Sequence, residues 1–369
     1  MTYRAIGLMS GSSLDGLDLA FVEFVHNAGA WSFEILAADC YAYDDNWKAR
    51  LQNAISLNAL EYHLLHADYG HYIGKAVNRF VEENNLHYKV GLVSSHGHTT
   101  FHMPQRKMTA QLGDGAAIAA ETGLPVVSDL RALDVAFGGQ GAPIVPIGEK
   151  YLLKDFDMYL NLGGIANISF NDPDKYIAFD IAPANRVLNM IAAKEGKEYD
   201  AGGEMAADGR ANEELLQKLN DLAYYWQPYP KSLANNFGTD EVYPLISSYG
   251  LSSADEMRTM VEHIVFQIKA SIEKQKDTGN PTFQTPNAKL LITGGGAFNT
   301  FMVKRLSDEL RSLQIDVIVP DDKLVQYKEA LIMAFIGVLR WRQEYNVLSS
   351  VTGAQRDSIG GAVWIGQEA

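Results

Sequence analysis

The sequence predicts an α/β protein of two domains, and three observations carry that expectation. The chain has 369 residues, more than one hydrophobic core commonly organises. Strand-like apolar runs alternate with helix-like ones, the pattern of α/β architecture. A strand, glycine turn, strand unit opens the chain at residues 5–24, and a second opens about 150 residues later. The expected domains are therefore 1–140 and 141–369, with the final segment packing back on the first.

Hydrophobic residues make up 47% and charged residues 21% of the chain, the composition of a folded protein. A net charge of −14 repels polyanions, which argues against nucleic-acid partners. The single cysteine, Cys40, excludes an intrachain disulfide and a cysteine-based zinc site. The opening MTYRAIGLMS enters an apolar strand without the cationic and apolar regions of a signal peptide. No apolar run approaches the roughly eighteen residues of a membrane span. A soluble cytoplasmic protein with no membrane partner is expected.

In chain order, residues 5–24 (AIGLMSGSSLDGLDLAFVEF) form a hairpin, and 31–43 form its third strand. Asp44 and Asp45 stand where a helix cap belongs, ahead of WKARLQNAISL. A long helix follows over about 60–83, with Leu60, Leu64, Ala67, His71, Ile73, Ala76, Val77 and Phe80 as its buried stripe. Residues 89–94 are strand-like and lead to a histidine-bearing segment, 96–102. A short helix over 114–122 is stopped by Gly123 and Pro125, and PVVSD resumes a strand. FGGQGAPIVP (137–146), with its clustered glycines and prolines, is the best boundary candidate, either a hinge or a loop at an interdomain cleft.

The second unit begins with strands at 157–162 and 165–170 around Gly163 and Gly164, and a third at 176–180. Helices are expected at 183–195, 212–225 and 253–276, then a polar loop at 278–286. A buried strand at 289–293, the turn Gly294, Gly295, Gly296, a helix at 299–313 and a strand at 315–319 follow. The last strong helix covers about 327–345.

Several positions suit chemistry. In the first turn, Gly11, Ser12, Ser13 and Gly16 could cradle an anion with backbone N–H groups and hydroxyls, or could form an ordinary hairpin turn. Neither a P-loop nor a dinucleotide fingerprint is present. Asp180, expected at a strand end, suits a general base opening into a crevice, or a cap on the helix starting near Pro183. His98 and His102 form an HxxxH in a segment whose Gly97 and Pro104 oppose a helix. On an extended chain they lie roughly 13 Å apart, too far to share an ion. Hydrogen bonds from these histidines to a polar substrate or the core are the stronger reading. Arg131 suits a carboxylate bound by its guanidinium fork, or a salt bridge to Asp129 or Asp134. Glu329, in the first turn of an apolar helix, is favourable to the helix dipole and could also bind sugar hydroxyls.

Three glycine turns of this kind in one chain resemble the actin/hexokinase superfamily, in which two ribonuclease H-like domains flank a central cleft. Within it the sequence closely resembles the anhydro-N-acetylmuramic acid kinases. The resemblance is carried by GLMSGSSLDGLD, SSHGHTTFHMP, QLGDGAAIAAETGLPVVSDLRALDVAFGGQGAPIVP, NLGGIANIS, FDIAPAN, ITGGGAFN, KEALIMAF and VTGA, in the family's order.

The resemblance implies ATP-dependent phosphorylation of the 6-oxygen of 1,6-anhydro-N-acetylmuramic acid, with water opening the anhydro bond, in cell-wall recycling. It implies Asp180 as catalytic base. For ATP it implies Gly11, Ser12, Ser13, Leu14, Asp15, Gly16, Leu17 and Asp18, with Gly163, Gly164, Gly294, Gly295, Gly296 and Asn299. For the sugar it implies His96, Gln111, Arg131, Asn185 and Glu329. Mg²⁺ would bridge the phosphates, with Asp15 and Asp18 among the carboxylates that could position it. A homodimer is also implied.

The sequence departs from the family pattern in the IAPAN after Asp180, where a Thr-Gly-Pro-Gly-Asn is usual. It departs also at His98, usually glutamine, and at Gly115, usually proline. Ile181, Ala182, Pro183 and Ala184 thus stand where the sugar is expected. The alternatives are a kinase for another sugar, a non-catalytic ATP-gated interaction protein, and a metal-dependent transferase that needs His98 and His102 on one ion.

Overall fold

The computed structural model describes every residue except 12, 173–175, 230, 234–235, 281–282, 284–286 and 367–369. In chain order the strands are β1 (Thr2–Ser10), β2 (Gly16–Asn27), β3 (Ala30–Ala42), β4 (Leu92–Met103), β5 (Met108–Leu112), β6 (Val126–Ser128), β7 (Met158–Leu162), β8 (Ile165–Phe170), β9 (Ile177–Pro183), β10 (Ala288–Thr293), β11 (Ile315–Ile318) and β12 (Ala362–Trp364). The chain divides into two compact units, Met1–Leu153 with Tyr327–Ala369, and Lys154–Gln326. The hinge candidate at 137–146 falls inside the first unit.

The first unit holds the sheet β12-β6-β4-β1-β2-β3, with β5 paired to β4. β1, β2 and β3 are antiparallel neighbours, while β4 runs parallel to β1 and β6 parallel to β4. The second unit repeats this plan as β11-β10-β7-β8-β9. There β7, β8 and β9 are antiparallel neighbours, and β10 and β11 continue parallel to β7. Each unit is thus an α/β domain whose first three strands meander and whose next two cross over beside strand one. That is the strand order expected of the ribonuclease H-like domain.

Residues Ala5, Ile6 and Leu8 of β1 are fully buried, as befits a central strand covered on both faces. On one face lies the helix Asp322–Trp341. A Cβ at Gly7 would stand 1.9 Å from the Ala330 carbonyl oxygen, and one at Gly337 would stand 2.5 Å from the Ser94 Cβ. Helix backbone and sheet therefore meet where no side chain intervenes, with Lys328 and Glu329 immediately ahead of the contact at Ala330. Lys328 forms a buried ion pair with Glu149 at 3.1 Å.

Some elements differ from the sequence expectation. The helix Ala59–Glu83 buries Leu65, Tyr69, Ile73, Ala76, Val77 and Phe80, while Leu60 and Leu64 are exposed. The stripe in its first turns is rotated by about one residue, since Tyr69 rather than a leucine sets the contact. The histidine-bearing segment is part of β4. β5 and β12 are too short for period-2 alternation to reveal. The last long helix begins at Asp322 and ends at Trp341, with non-helical dihedrals at Tyr327. Among the described residues, no helix is long and apolar enough to cross a membrane.

Candidate functional site

The first unit carries the turn between β1 and β2. Ser12 lies outside the described residues, Ser13 and Asp15 are exposed, and Leu14 adopts a left-handed φ of 60°. That conformation is costly for a leucine and tightens the turn. Leu17 is buried in the core, so only its backbone can serve a ligand. Gly16 is demanded by the fold itself, because a Cβ there would meet the Tyr41 carbonyl oxygen at 2.6 Å and Cys40 Sγ at 2.7 Å. Gly11 is different. It has no positive φ, and its nearest Cβ neighbour would lie at 3.5 Å, so the protein's own packing does not require glycine there.

Asp18 follows on β2. Burial pushes its carboxyl up to about 6, with a lowering contribution from the Cys40 thiol and further raising by Glu329 and Asp15. Glu329 and Asp15 therefore both act on Asp18 beside the turn. Below them Ser10 accepts a hydrogen bond from Tyr43 at 2.9 Å and meets His98 Nδ1 at 3.1 Å. His98 thus occupies the family's glutamine position with a hydrogen bond to the strand that enters the turn.

Arg131 makes neither expected salt bridge. Its Nε–H donates to His96 Nε2 at 2.7 Å, and Nη1 donates to the Gly141 carbonyl at 2.6 Å. An arginine has no acceptor, so His96 Nε2 must carry a lone pair, and the ring's proton sits on Nδ1, 2.9 Å from the Gly97 carbonyl. Burial, then the neighbouring guanidinium, holds His96 down at about 3. It is a neutral ring with both nitrogens engaged, and it aims Arg131. Burial lowers Arg131 itself to about 10, with Glu329 and Asp134 opposing.

The loop that supplies Gly141 is fixed by Asp134. Its carboxylate accepts from the Gly141 N–H at 2.8 Å and from the Thr352 hydroxyl at 2.7 Å. The Gln140 N–H also donates to the Thr352 carbonyl at 2.7 Å. GGQGAP and VTGA, far apart in sequence, are thereby held together. Gln111, on β5, donates to Thr109 Oγ1 at 2.8 Å. His102 meets the same hydroxyl at 3.0 Å, so His98 and His102 have different partners. Among the described residues, no group of three or more His, Cys, Asp or Glu could hold a metal ion, and the transferase reading lacks its ligand set.

Gly115, the other departure, faces the C-terminal strand. A Cβ there would lie 2.4 Å from Trp364 Nε1, which itself donates to Ser128 Oγ at 3.1 Å. The space of the usual proline is taken by an indole.

In the second unit the structure brings Gly163, Gly164, Asn185, Gly294, Gly295 and Gly296 together. The carbonyls of Gly163 and Gly164 accept from the N–H groups of Asn185 and Ala184 at 3.1 and 2.9 Å. Asn185 Nδ2 donates to the Leu162 carbonyl at 2.9 Å. Gly294, at φ 81°, and Gly296 pack so closely on Asn161 and Leu162 that Cβ atoms would clash. Gly163, Gly164 and Gly295 have ordinary or open surroundings and no positive φ. Asn299 is buried, and its Oδ1 caps the helix Thr300–Leu310 by accepting from the Met302 N–H at 2.9 Å.

Asp180 does not end its strand. It lies within β9, and the helix Asn185–Ala193 begins after Ala184 without a side-chain cap, so the helix-cap alternative fails. It pairs with Asn167, but the next pair is Ala182 with Ala166. Ile181 is thus the extra residue of a β-bulge, a device that re-aims neighbouring side chains. Ile181, Ala182 and Ala184 are buried in the core of this unit, so the departures after Asp180 are absorbed by packing. Burial raises the Asp180 carboxyl, while the Leu233 N–H and the Lys231 charge lower it. Lys231 and Tyr224 beside Asp180 escaped the sequence reading. They sit in an aromatic, proline-bearing stretch with no spacing that signals chemistry.

A family model described as anhydro-N-acetylmuramic acid kinase matches residues 3–366. The anhydro-N-acetylmuramic acid kinase of Sulfurimonas denitrificans is 32% identical over 377 residues, covering 97% of this chain and 98% of that protein. The enzyme of the same name from Francisella tularensis subsp. novicida is 32% identical over 382 residues, covering 97% of each. The solved activator of 2-hydroxyisocaproyl-CoA dehydratase from Clostridium difficile, with bound ADPNP, aligns over 92% of this chain and 96% of its own at 12% identity and a TM-score of 0.47. With the family model spanning nearly its whole length, the chain belongs to the anhydro-N-acetylmuramic acid kinase family.

Proposed function

We propose that this chain is an ATP-dependent kinase that opens 1,6-anhydro-N-acetylmuramic acid with water and phosphorylates its 6-oxygen, giving N-acetylmuramic acid 6-phosphate for cell-wall recycling. The observation that carries the phosphate part is the set Gly11, Gly163, Gly164 and Gly295. Each is a glycine that neither φ nor internal packing demands. Such a glycine leaves the backbone open to close approach by a ligand. Family membership supports the choice of sugar.

In the reaction, ionised Asp180 accepts a proton from water, whose oxygen forms a bond to the anomeric carbon. The bond from that carbon to the 6-oxygen breaks, the freed oxygen attacks the γ-phosphorus, and ADP leaves. Asp180 suits the base because its bulge re-aims it and the Leu233 N–H holds one oxygen at 2.8 Å, leaving the other for water. Arg131, aimed by neutral His96 and Gly141, is the proposed partner of the sugar's carboxylate, since its fork matches one. Gln111, Asn185 and Glu329 complete the proposed sugar set.

Asp18 and Asp15, close enough beside the turn for Asp15 to act on Asp18, are among the carboxylates that would hold Mg²⁺, since this ion takes one or two carboxylates with phosphate oxygens and water. When bound it neutralises phosphate charge. A homodimer working in the cytoplasm belongs to the same proposal and rests on the resemblance alone.

The test is purified protein with ATP, Mg²⁺ and the anhydro sugar, following ADP and sugar phosphate. Sugar-stimulated ADP release is expected, and Asp180→Asn should lose turnover by 10³-fold or about that while still binding ATP. Absence of sugar stimulation would refute the reading. A kinase for another sugar would instead respond to that sugar alone.

A further inference from the structure

Asp180 is held from outside its own sheet. The hydroxyl of Tyr224, in the short helical turn Ala223–Trp226, donates to the Asp180 carbonyl at 2.7 Å. The Leu233 N–H donates to the Asp180 carboxylate at 2.8 Å. The next residue, Ile181, is the extra one of the bulge, and a bulge locally disrupts the ladder that otherwise fixes a strand's main chain. The tyrosine thus grips the backbone where the sheet's own support is interrupted. Backbone position decides where the carboxylate points, because so short a side chain cannot correct for it.

Tyr224 is itself firmly seated. It is buried, and its ring lies 5.6 Å from that of Phe237 and 5.6 Å, edge to face, from that of Tyr225. Tyr225 ties the turn to the long helix Ser253–Asp277, its hydroxyl meeting His263 Nε2 at 2.8 Å. His263 Nδ1 lies 2.7 Å from Asn220 Oδ1, and Gln267 Nε2 donates to the same oxygen at 3.0 Å. An amide oxygen only accepts, so the histidine proton sits on Nδ1, and Nε2 accepts from Tyr225. The two tyrosine hydroxyls therefore have separate duties: one joins the turn to the helix, the other joins it to Asp180. Burial, then the Asp180 charge, pushes the Tyr224 phenol up, so it remains a donor throughout the neutral range.

We propose that Tyr224 is a positioning residue for the base: its hydroxyl, by holding the Asp180 carbonyl beside the bulge, fixes the direction in which the carboxylate meets the attacking water. The inference rests on the reading of Asp180 as that base. It asks no proton of the phenol, only a fixed hydrogen bond to the main chain. A misplacement of about 1 Å at a reacting group costs up to about 100-fold in rate. A group that matters only in the transition state affects kcat and leaves substrate affinity alone.

The experiment is steady-state ADP release with ATP, Mg²⁺ and the anhydro sugar for the full chain, Tyr224→Phe, Tyr225→Phe, Asp180→Asn and the Tyr224→Phe, Asp180→Asn double variant, beside urea unfolding of each. Tyr224→Phe keeps the ring and should lower kcat about tenfold. The KM values for ATP and sugar should both stay within about twofold of the parent. Tyr225→Phe loses the hydroxyl that serves the helix, and should lower stability while leaving kcat within about twofold. With Asp180 already replaced, loss of the Tyr224 hydroxyl should cost no further turnover, because the two act as a unit. Three results overturn the inference and leave the tyrosine to the fold. They are a Tyr224→Phe kcat within about twofold of the parent, an equal loss in Tyr225→Phe, and an undiminished loss on the residual turnover of Asp180→Asn. Full turnover in Asp180→Asn overturns the base assignment instead, so the two failures are distinguishable.

Discussion

Replacing Thr352 by valine tests how the glycine-rich loop is held. The two side chains have nearly the same volume, so the change replaces one hydroxyl by a methyl and opens no cavity. That hydroxyl donates to the Asp134 carboxylate at 2.7 Å, and both residues are 1% exposed. Asp134 keeps its bond from the Gly141 N–H but loses one of two donors in a site that water does not reach. A hydrogen bond to a buried charged group contributes about 1.5–3 kcal/mol, so about 2 kcal/mol of destabilisation is expected, a factor of roughly 30 in the unfolding equilibrium. Urea unfolding followed by tryptophan fluorescence suits the measurement, because Trp31, Trp47, Trp341 and Trp364 all lie in the first unit. The same substitution in an Asp134→Asn background should cost about 1 kcal/mol or less, since the acceptor is then neutral. Because Gly141 holds Arg131, the sugar KM should rise severalfold while the ATP KM does not. A cost below about 0.5 kcal/mol, or one that is unchanged in the Asp134→Asn background, would refute the reasoning.

Two other expectations concern the neighbouring strands. Asp18, raised to about 6 from 3.8, binds more protons folded than unfolded in that interval, so its contribution to stability is present below about pH 4 and fades as pH rises through 6. Asp18→Asn should therefore be more stable than the parent at pH 8 and level with it near pH 3.5; urea midpoints with no divergence between those pH values would contradict this. Gly7→Ala drives a methyl to 1.9 Å from the Ala330 carbonyl oxygen, which backbone cannot evade. A loss of at least 1–3 kcal/mol, about the cost of overpacking, should appear in thermal unfolding, and a neutral result would mean that the helix–sheet contact is looser than described.

Much of this could be read in the sequence, for physical reasons that differ by residue. The hairpins around Gly11 and around Gly163 were legible because alternating burial and glycine turns are local signals. Glycine alone does not reveal its cause, however. Gly16 and Gly296 answer to neighbouring backbone and side chains, whereas Gly11 and Gly295 do not. The partner of Arg131 was illegible because His96 reaches it through pairing of strands far apart in sequence, and two adjacent aspartates offered a nearer explanation. Asp180 was singled out by type and resemblance, but its place in mid-strand was not legible. The bulge at Ile181 depends on register against β8, which one strand's sequence does not encode. For the same reason Ile181 and Ala184 looked like a sugar loop and are in fact core.

The glycines with open surroundings have one more consequence. Gly11, Gly163, Gly164 and Gly295 each leave the unfolded chain more freedom than an alanine would, and nothing in the folded structure compensates for that loss. At each position an alanine is compatible with the backbone, and such exchanges commonly add about 0.4–1 kcal/mol of stability. The chain therefore forgoes easily available robustness at four places. A search for hardier variants selected on folding alone would drift toward alanine at these turns, and would make a sturdier protein without the open backbone proposed to meet phosphate.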